Sequence, residues 1–129
     1  MSKVQLVEEF SLLFNQLIEN IAIIRPKSMI GTNITMIRVL CRQTSIKQKL
    51  IHLFAIHFVQ YRPYFDRNDD SFLAGVNFNQ KVDGDTKAMR LINHLLGLWR
   101  ELDTQNRRVF FQYLKLMATT CSDYLRLFT

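Results

Sequence analysis

Apolar side chains return every three or four residues along nearly the whole of this chain, and that spacing is the period of an α-helix. In the first segment Val7, Phe10, Phe14, Leu17, Ile21 and Ile24 form the stripe, with Glu8, Asn15, Gln16 and Glu19 between them. In the last, Phe110, Leu114, Met117, Cys121, Leu125 and Phe128 recur at steps of four and three, the seam of antiparallel bundle packing. Only four Gly and two Pro interrupt 129 residues, which suits long helices better than a sheet with many turns. The expected fold is all-α: a single-domain helical bundle of about five helices spanning residues 1–129.

Local signals divide the pattern. Pro26 ends the first helix, because the residue before a proline is pushed out of the helical region, and 26–31 is a short connector. A second helix over 32–43 turns Ile34, Ile37, Leu40 and Cys41 inward. Thr44-Ser45 interrupts it, with Ser45 as N-cap of a third helix over 46–61. That helix is apolar nearly all round, as expected of an element that is central or at an interface. Arg62-Pro63 stops it, and 63–85 reads as a long non-helical connector between the third and fourth helices. Its Tyr64, Phe65, Phe72 and Phe78 are expected to pack on the bundle. Asp85 caps a fourth helix whose Ala88, Leu91, Ile92, Leu95, Trp99 and Leu102 face inward, with Gly97 permitting a close helix crossing. Asp103 caps the fifth.

A composition 48% hydrophobic is too apolar for disorder. A domain of this size buries roughly two-thirds of its unfolded surface and needs no metal or disulfide staple. Cys41 and Cys121 each lie in an apolar helical pattern without any CxxC spacing, and are expected to be buried, reduced thiols. Glu8 and Glu9 interrupt what would be the apolar run of a signal peptide, and no 18-residue apolar stretch exists. The expectation is a soluble intracellular protein without a membrane span.

Signals for catalysis or metal binding are weak. Asp66, Asn68 and Asp70 match positions 1, 3 and 5 of a calcium loop, but Ser71 and Asn77 stand where Gly and Glu are needed. A turn in which Asp and Asn bond their own backbone is the expected reading. His52 and His57 are five apart, so on a helix they point about 140° apart rather than to one metal. His94 brings no partner. Neither a G-x-S-x-G elbow nor a Gly-rich phosphate loop is present. No catalytic residue, metal ligand, cofactor or small-molecule substrate is read from the chain, and an enzyme is not expected.

Charge is what points outward. Residues 25–62 hold Arg25, Lys27, Arg38, Arg42, Lys47, Lys49 and Arg62 and no Asp or Glu, in a chain whose formal net charge is +6. One reading is a nucleic-acid surface built on Arg38, Arg42, Lys47, Lys49 and Arg62, extended by Arg107 and Arg108, with Tyr61 and Tyr64 stacking on bases. The plainer reading is a solvated polar strip on two amphipathic helices. The apolar surplus of the third helix, and the apolar end at Leu127-Phe128, point instead to a protein partner or self-association.

Three stretches resemble a known group. YRPYFDRNDDSFL (61–73), LLGLWRELD (95–103) and FFQYLKLMATTCSDYL (110–125), within residues 49–125, are similar to small helical proteins of unknown function from large nucleocytoplasmic DNA viruses. The resemblance implies a viral setting, in the host cytoplasm, the nucleus or the virion, and carries over no activity and no functional residue. The function expected is a non-enzymatic protein–protein interaction or assembly role, with nucleic-acid binding as the alternative. That alternative predicts DNA or RNA affinity that falls steeply with salt and is lost on reversing Arg38, Arg42, Lys47 and Lys49; a filter-binding titration at two salt concentrations checks it.

Overall fold

A computed structural model describes residues 1–75 and 86–128. Among these the architecture is all-α. Five helices reach eight residues or more: α1 (Lys3–Ile24), α3 (Ile34–Cys41), α4 (Thr44–Phe58), α6 (Thr86–Gly97) and α7 (Thr104–Arg126). Two shorter ones, α2 (Met29–Thr32) and α5 (Arg62–Asp66), lie between them. Phe78 and Asp85, expected in the connector and as a cap, lie outside the described residues.

The helix ends show why the chain breaks where it does. Ser2 and Gln5 form a reciprocal capping box at the start of α1, which satisfies two of the backbone N–H groups left over at a helix N-terminus. Pro26 ends α1 as expected, with Arg25 as the C-cap. Asp103 caps α7 by accepting a hydrogen bond from the Asn106 backbone N–H at 2.8 Å.

Several expected boundaries move. The second helix is two: the connector over 26–31 already contains most of α2, and Asn33 separates α2 from α3. Asn33 Nδ2 donates to the Met29 carbonyl at 2.8 Å, while the Asn33 N–H goes to the same carbonyl. The side chain thus competes with continued helix, as short amides do. Ser45 is not a cap; α4 starts at Thr44, two residues earlier than expected, with Gln43 as N-cap and no side-chain capping bond. Nor does Pro63 stop the chain from being helical. It occupies the first turn of α5, where its missing N–H costs nothing because no intrahelical acceptor exists there. The connector over 63–85 is therefore partly helical, with α5 reaching Asp66 and a 3₁₀ turn at Ser71–Ala74, while the end of the expected third helix is a 3₁₀ turn at Val59–Tyr61.

α5 ends in a Schellman motif. The Asn68 N–H bonds the Phe65 carbonyl at 3.1 Å and the Asp69 N–H the Tyr64 carbonyl at 2.8 Å. Asn68 takes the left-handed conformation this requires, at φ 54°, a region asparagine tolerates better than most residues. The described aromatic residues of this segment, Tyr64, Phe65 and Phe72, pack together, and Phe65 seats them on the bundle. Phe65 is buried and meets Phe58, Phe72 and Phe111 at ring separations of 5.8, 5.3 and 5.5 Å.

The core gathers the inward stripes read from the sequence. Phe10, Phe14, Leu17 and Ile21 of α1 meet Phe110, Leu114 and Met117 of α7, all essentially inaccessible to solvent. Lys3 Nζ lies 5.5 Å from the Phe128 ring centroid, so the two long helices run antiparallel. α4 lies against both, with Phe54 buried edge-on to Phe10 at 5.3 Å. α6 packs on α4, burying Ala88, Leu91, Ile92 and Leu95, while Trp99 and Leu102 beyond its end are buried as expected. Phe128 is an exception to the α7 seam and stays 59% exposed.

The close crossing expected at Gly97 is not found. A Cβ on Gly97 would meet nothing within 4 Å, so this residue mediates no close crossing. Gly31 does: a Cβ there would lie 2.5 Å from the Arg25 carbonyl oxygen and 2.6 Å from that of Pro26. Gly97→Ala is expected to stabilise the protein by about 0.5–1 kcal/mol, and Gly31→Ala to destabilise it by about 1–3 kcal/mol because backbone must move. Chemical denaturation of the two variants checks both signs.

Candidate docking furrow and the placement of the basic residues

The chain leaves α1 through a tight corner at residues 25–28. Ser28 bonds back to the Arg25 carbonyl through its N–H (3.0 Å) and its hydroxyl (2.6 Å), and its Oγ caps α2 by accepting the Gly31 N–H at 3.1 Å. Because Gly31 lacks a side chain, α2 lies directly on the backbone of that corner. Asn33 then redirects the chain into α3, which packs on α1 and α4 through Ile37 and Cys41. On its other side α3 stands off from α6. Between them runs a furrow of about 500 Å³.

The walls of this furrow are apolar. Met36 and Val39 of α3 and Met29 of α2 line it, and they are 65%, 56% and 37% exposed. Leu91 supplies apolar surface from α6, and Lys87, Arg90 and His94 form the rim on that side. A second hollow of about 650 Å³ adjoins it, sharing Met29 and His94 and continuing past Gly97 to Glu101. Its rim carries Arg25 and Lys27, and Arg25 Nη2 lies 3.4 Å from Glu101. One face of α6 and the turn after it thus borders both hollows. The inward stripe of α6 is legible in the sequence, whereas Met36 and Val39 lie outside the stripes expected to face inward. The signal was there: they occupy the positions of α3 that its buried stripe leaves over.

Of the seven basic residues of the nucleic-acid reading, Arg38, Lys47, Arg62 and Arg107 are engaged within the chain. Arg38 reaches Glu19 of α1 through two hydrogen bonds, and Lys47 reaches Glu8 at 3.1 Å. Those two acids are eleven residues apart on one helix, roughly 16 Å. Arg62 Nη1 donates to Ser122 Oγ at 2.5 Å. Arg107 lies fifteen residues away along α7, roughly 22 Å. There it donates to the carbonyls of Trp99 (3.0 Å) and Arg100 (2.7 Å), with its guanidinium 4.4 Å from the Trp99 ring centroid. Arg42, Lys49 and Arg108 are exposed. Tyr61 stacks on Phe72 at 4.7 Å, and Tyr64 meets Phe72 at 5.3 Å with Arg67 over its ring, so these faces are occupied within the chain.

Asp69, its neighbour Asn68 and both thiols are likewise engaged in structure. Asp69 Oδ1 accepts the Ser71 N–H (3.0 Å) and hydroxyl (2.6 Å), which hold its carboxyl below the usual range. Asn68 Oδ1 accepts from Lys115 Nζ at 2.6 Å. The stretch that partly matched a calcium loop is thus a hydrogen-bonded turn, and among the described residues no His, Cys, Asp and Glu group could hold a metal ion. Cys41 and Cys121 are free and buried. Burial raises both thiols, Cys41 to about 11 and Cys121 further. Among the described residues no helix is long and apolar enough to cross a membrane.

Two outcomes follow from these environments. A thiol-exchange reagent at neutral pH is expected to leave both cysteines unmodified in the native protein and to titrate two on unfolding, because the reactive thiolate is suppressed and shielded. Burial lowers the His57 pKa from its ordinary 6.5, so the unfolded chain takes up that proton first as pH falls. The stability conferred by neutral His57 is therefore full above pH 6.5 and declines as pH drops below it; denaturation midpoints across pH 5–8 check this, and His57→Gln is expected to remove that component. Glu19, lowered chiefly by its hydrogen bond to Arg38, contributes in a lower window: its share is present above its unfolded pKa and lost as pH falls through the folded value. No family model matches this chain, and no curated protein or solved structure is detectably similar to it.

Proposed function

We propose that this protein is a non-enzymatic interaction or assembly protein that docks a protein partner on its α3–α6 face. The observation that carries the reading is the grouping of Met29, Met36 and Val39, all exposed, on the walls of one furrow. Exposed apolar surface on a folded domain is otherwise scattered singly, and its concentration in a concave site is characteristic of association. Methionine suits such a surface because its flexible, polarisable side chain adapts to a partner's shape.

The non-enzymatic part rests on where the reactive groups are spent. Glu8, Glu19, Glu101 and Asp123 are in ion pairs, Asp69 and Asp103 hold turns and caps, and both thiols are buried and protonated. The viral setting belongs to the same proposal, on the resemblance carried by residues 49–125.

Met36→Asp combined with Val39→Asp is the test. Both side chains are more than half exposed, so the double variant should fold with a stability change within about 0.5 kcal/mol per site. Tagged wild-type protein is expected to retain a partner from its native source that the variant loses. An identical set of copurifying proteins for the two forms, with both monomeric in light scattering, would overturn the reading.

A further inference from the structure

Resting on the furrow as a docking site, we infer that its partner is an acidic amphipathic helix of another protein. Three observations select that occupant. The first is shape: the furrow lies between two helices, α3 and α6, with its α6 border running from Lys87 to His94, and the adjoining hollow continues that side through the 3₁₀ turn to Glu101. Together the two borders extend over roughly 20 Å, enough to lie alongside about four turns of a partner helix. An amphipathic helix laid into an apolar groove makes its contacts through anchors at i, i+3 or i+4, and i+7.

The second is charge. Among the described residues, those lining the α3–α6 furrow include Lys87, Arg90 and His94 and not one Asp or Glu. In the adjoining hollow Arg25 and Lys27 face a single acid, Glu101, which lies within ion-pair distance of Arg25. A helix whose apolar stripe is flanked by Asp and Glu would meet basic side chains at the rim, where charges steer encounter and fix register. A second copy of this chain is a poor occupant by the same criterion, since each copy carries a formal net charge of +6.

The third is the chemistry of the walls. Aliphatic and thioether side chains make most of them, with the amides of Asn33, Gln43 and Asn93, and among the described residues no Phe, Tyr or Trp lines either hollow; the one ring is the His94 imidazole at the rim. Single-stranded nucleic acid is held by rings on which its bases stack. Apolar walls with a basic rim fit the leucine-type anchors and acidic flanks of a helix instead.

Three fluorescent peptides of sixteen residues test the proposal on the full chain by anisotropy. The first has leucines at i, i+4, i+7 and i+11 on a glutamate-rich background, the second has the same leucines on a lysine-rich background, and the third is the first in scrambled order. The acidic amphipathic peptide is expected to bind saturably, at least tenfold more tightly than either of the others. Met36→Asp should remove that binding with the thermal midpoint unchanged, and Arg90→Glu combined with Lys27→Glu should reverse the preference toward the lysine peptide. Equal binding of the acidic and scrambled peptides, binding of neither, or preference for the lysine peptide by the wild-type chain would overturn the acidic helix. So would a homodimer that Met36→Asp dissociates, or a DNA oligonucleotide whose binding the same variants abolish while no peptide binds. If the native partner still depends on Met36 and Val39 while the acidic peptide fails, the docking face stands and only its occupant is wrong.

Discussion

The antiparallel pairing of α1 and α7 is the contact on which the rest of the fold depends. Each helix is long, at 22 and 23 residues, and each turns one stripe of large apolar side chains to the other. Phe10, Phe14, Leu17, Phe110, Leu114 and Met117 are all at or below 1% exposure. Burying a side chain of this kind contributes about 1.5–3 kcal/mol relative to leaving it in water. The shortest helices could not hold their shape alone, because isolated helices under about 12–15 residues are marginal in water. The eight-residue α3 and five-residue α5 persist because the α1–α7–α4 platform gives their apolar faces something to cover.

Rings extend that platform. Phe54 meets Phe10 on one side and Phe58 on the other, at 5.3 and 4.4 Å, and Phe58 passes the contact to Phe65 and then to Phe111 of α7. Residues 59–75 are held by this series rather than by helix length. Polar ties reinforce it at the surface, from Lys115 to Asn68 and from Arg100 to the Ala74 carbonyl. By contrast, the corner at residues 25–33 is built from backbone. Gly31 brings α2 onto the carbonyls of Arg25 and Pro26, Asn33 turns the chain, and α3 is left with one face on the bundle and the other along the furrow. The furrow follows from that geometry: a helix of two turns, set at a corner, cannot close against α6 along its length.

Much of the fold was legible because period and burial are linked by elementary geometry. Every residue expected to face inward on α6 and the turn beyond it is buried, as are those on α7 up to Cys121. Boundaries were less legible where two local rules compete. Pro63 is a helix breaker in an interior and a good first-turn residue at an N-terminus, and which role applies depends on where the preceding helix has already ended. Gly31 and Gly97 are the same residue in similar surroundings of sequence, yet only Gly31 meets another backbone. The density of positive charge over 25–62 was equally plain, but its arrangement was not. Arg38 and Lys47 find acids on α1 that lie 19 and 39 residues away in the chain.

By itself the sequence determined the helical class, the inward stripes, the cap at Asp103, the stop at Pro26 and the burial of both thiols, because each depends on residues within a few turns of one another. Tertiary structure alone decided which charges are neutralised, which glycine is required and which apolar side chains remain in contact with water. Those outcomes depend on distances between segments far apart in the chain. Helical periodicity says which way a side chain leaves its own helix, and cannot say whether a second helix arrives to meet it.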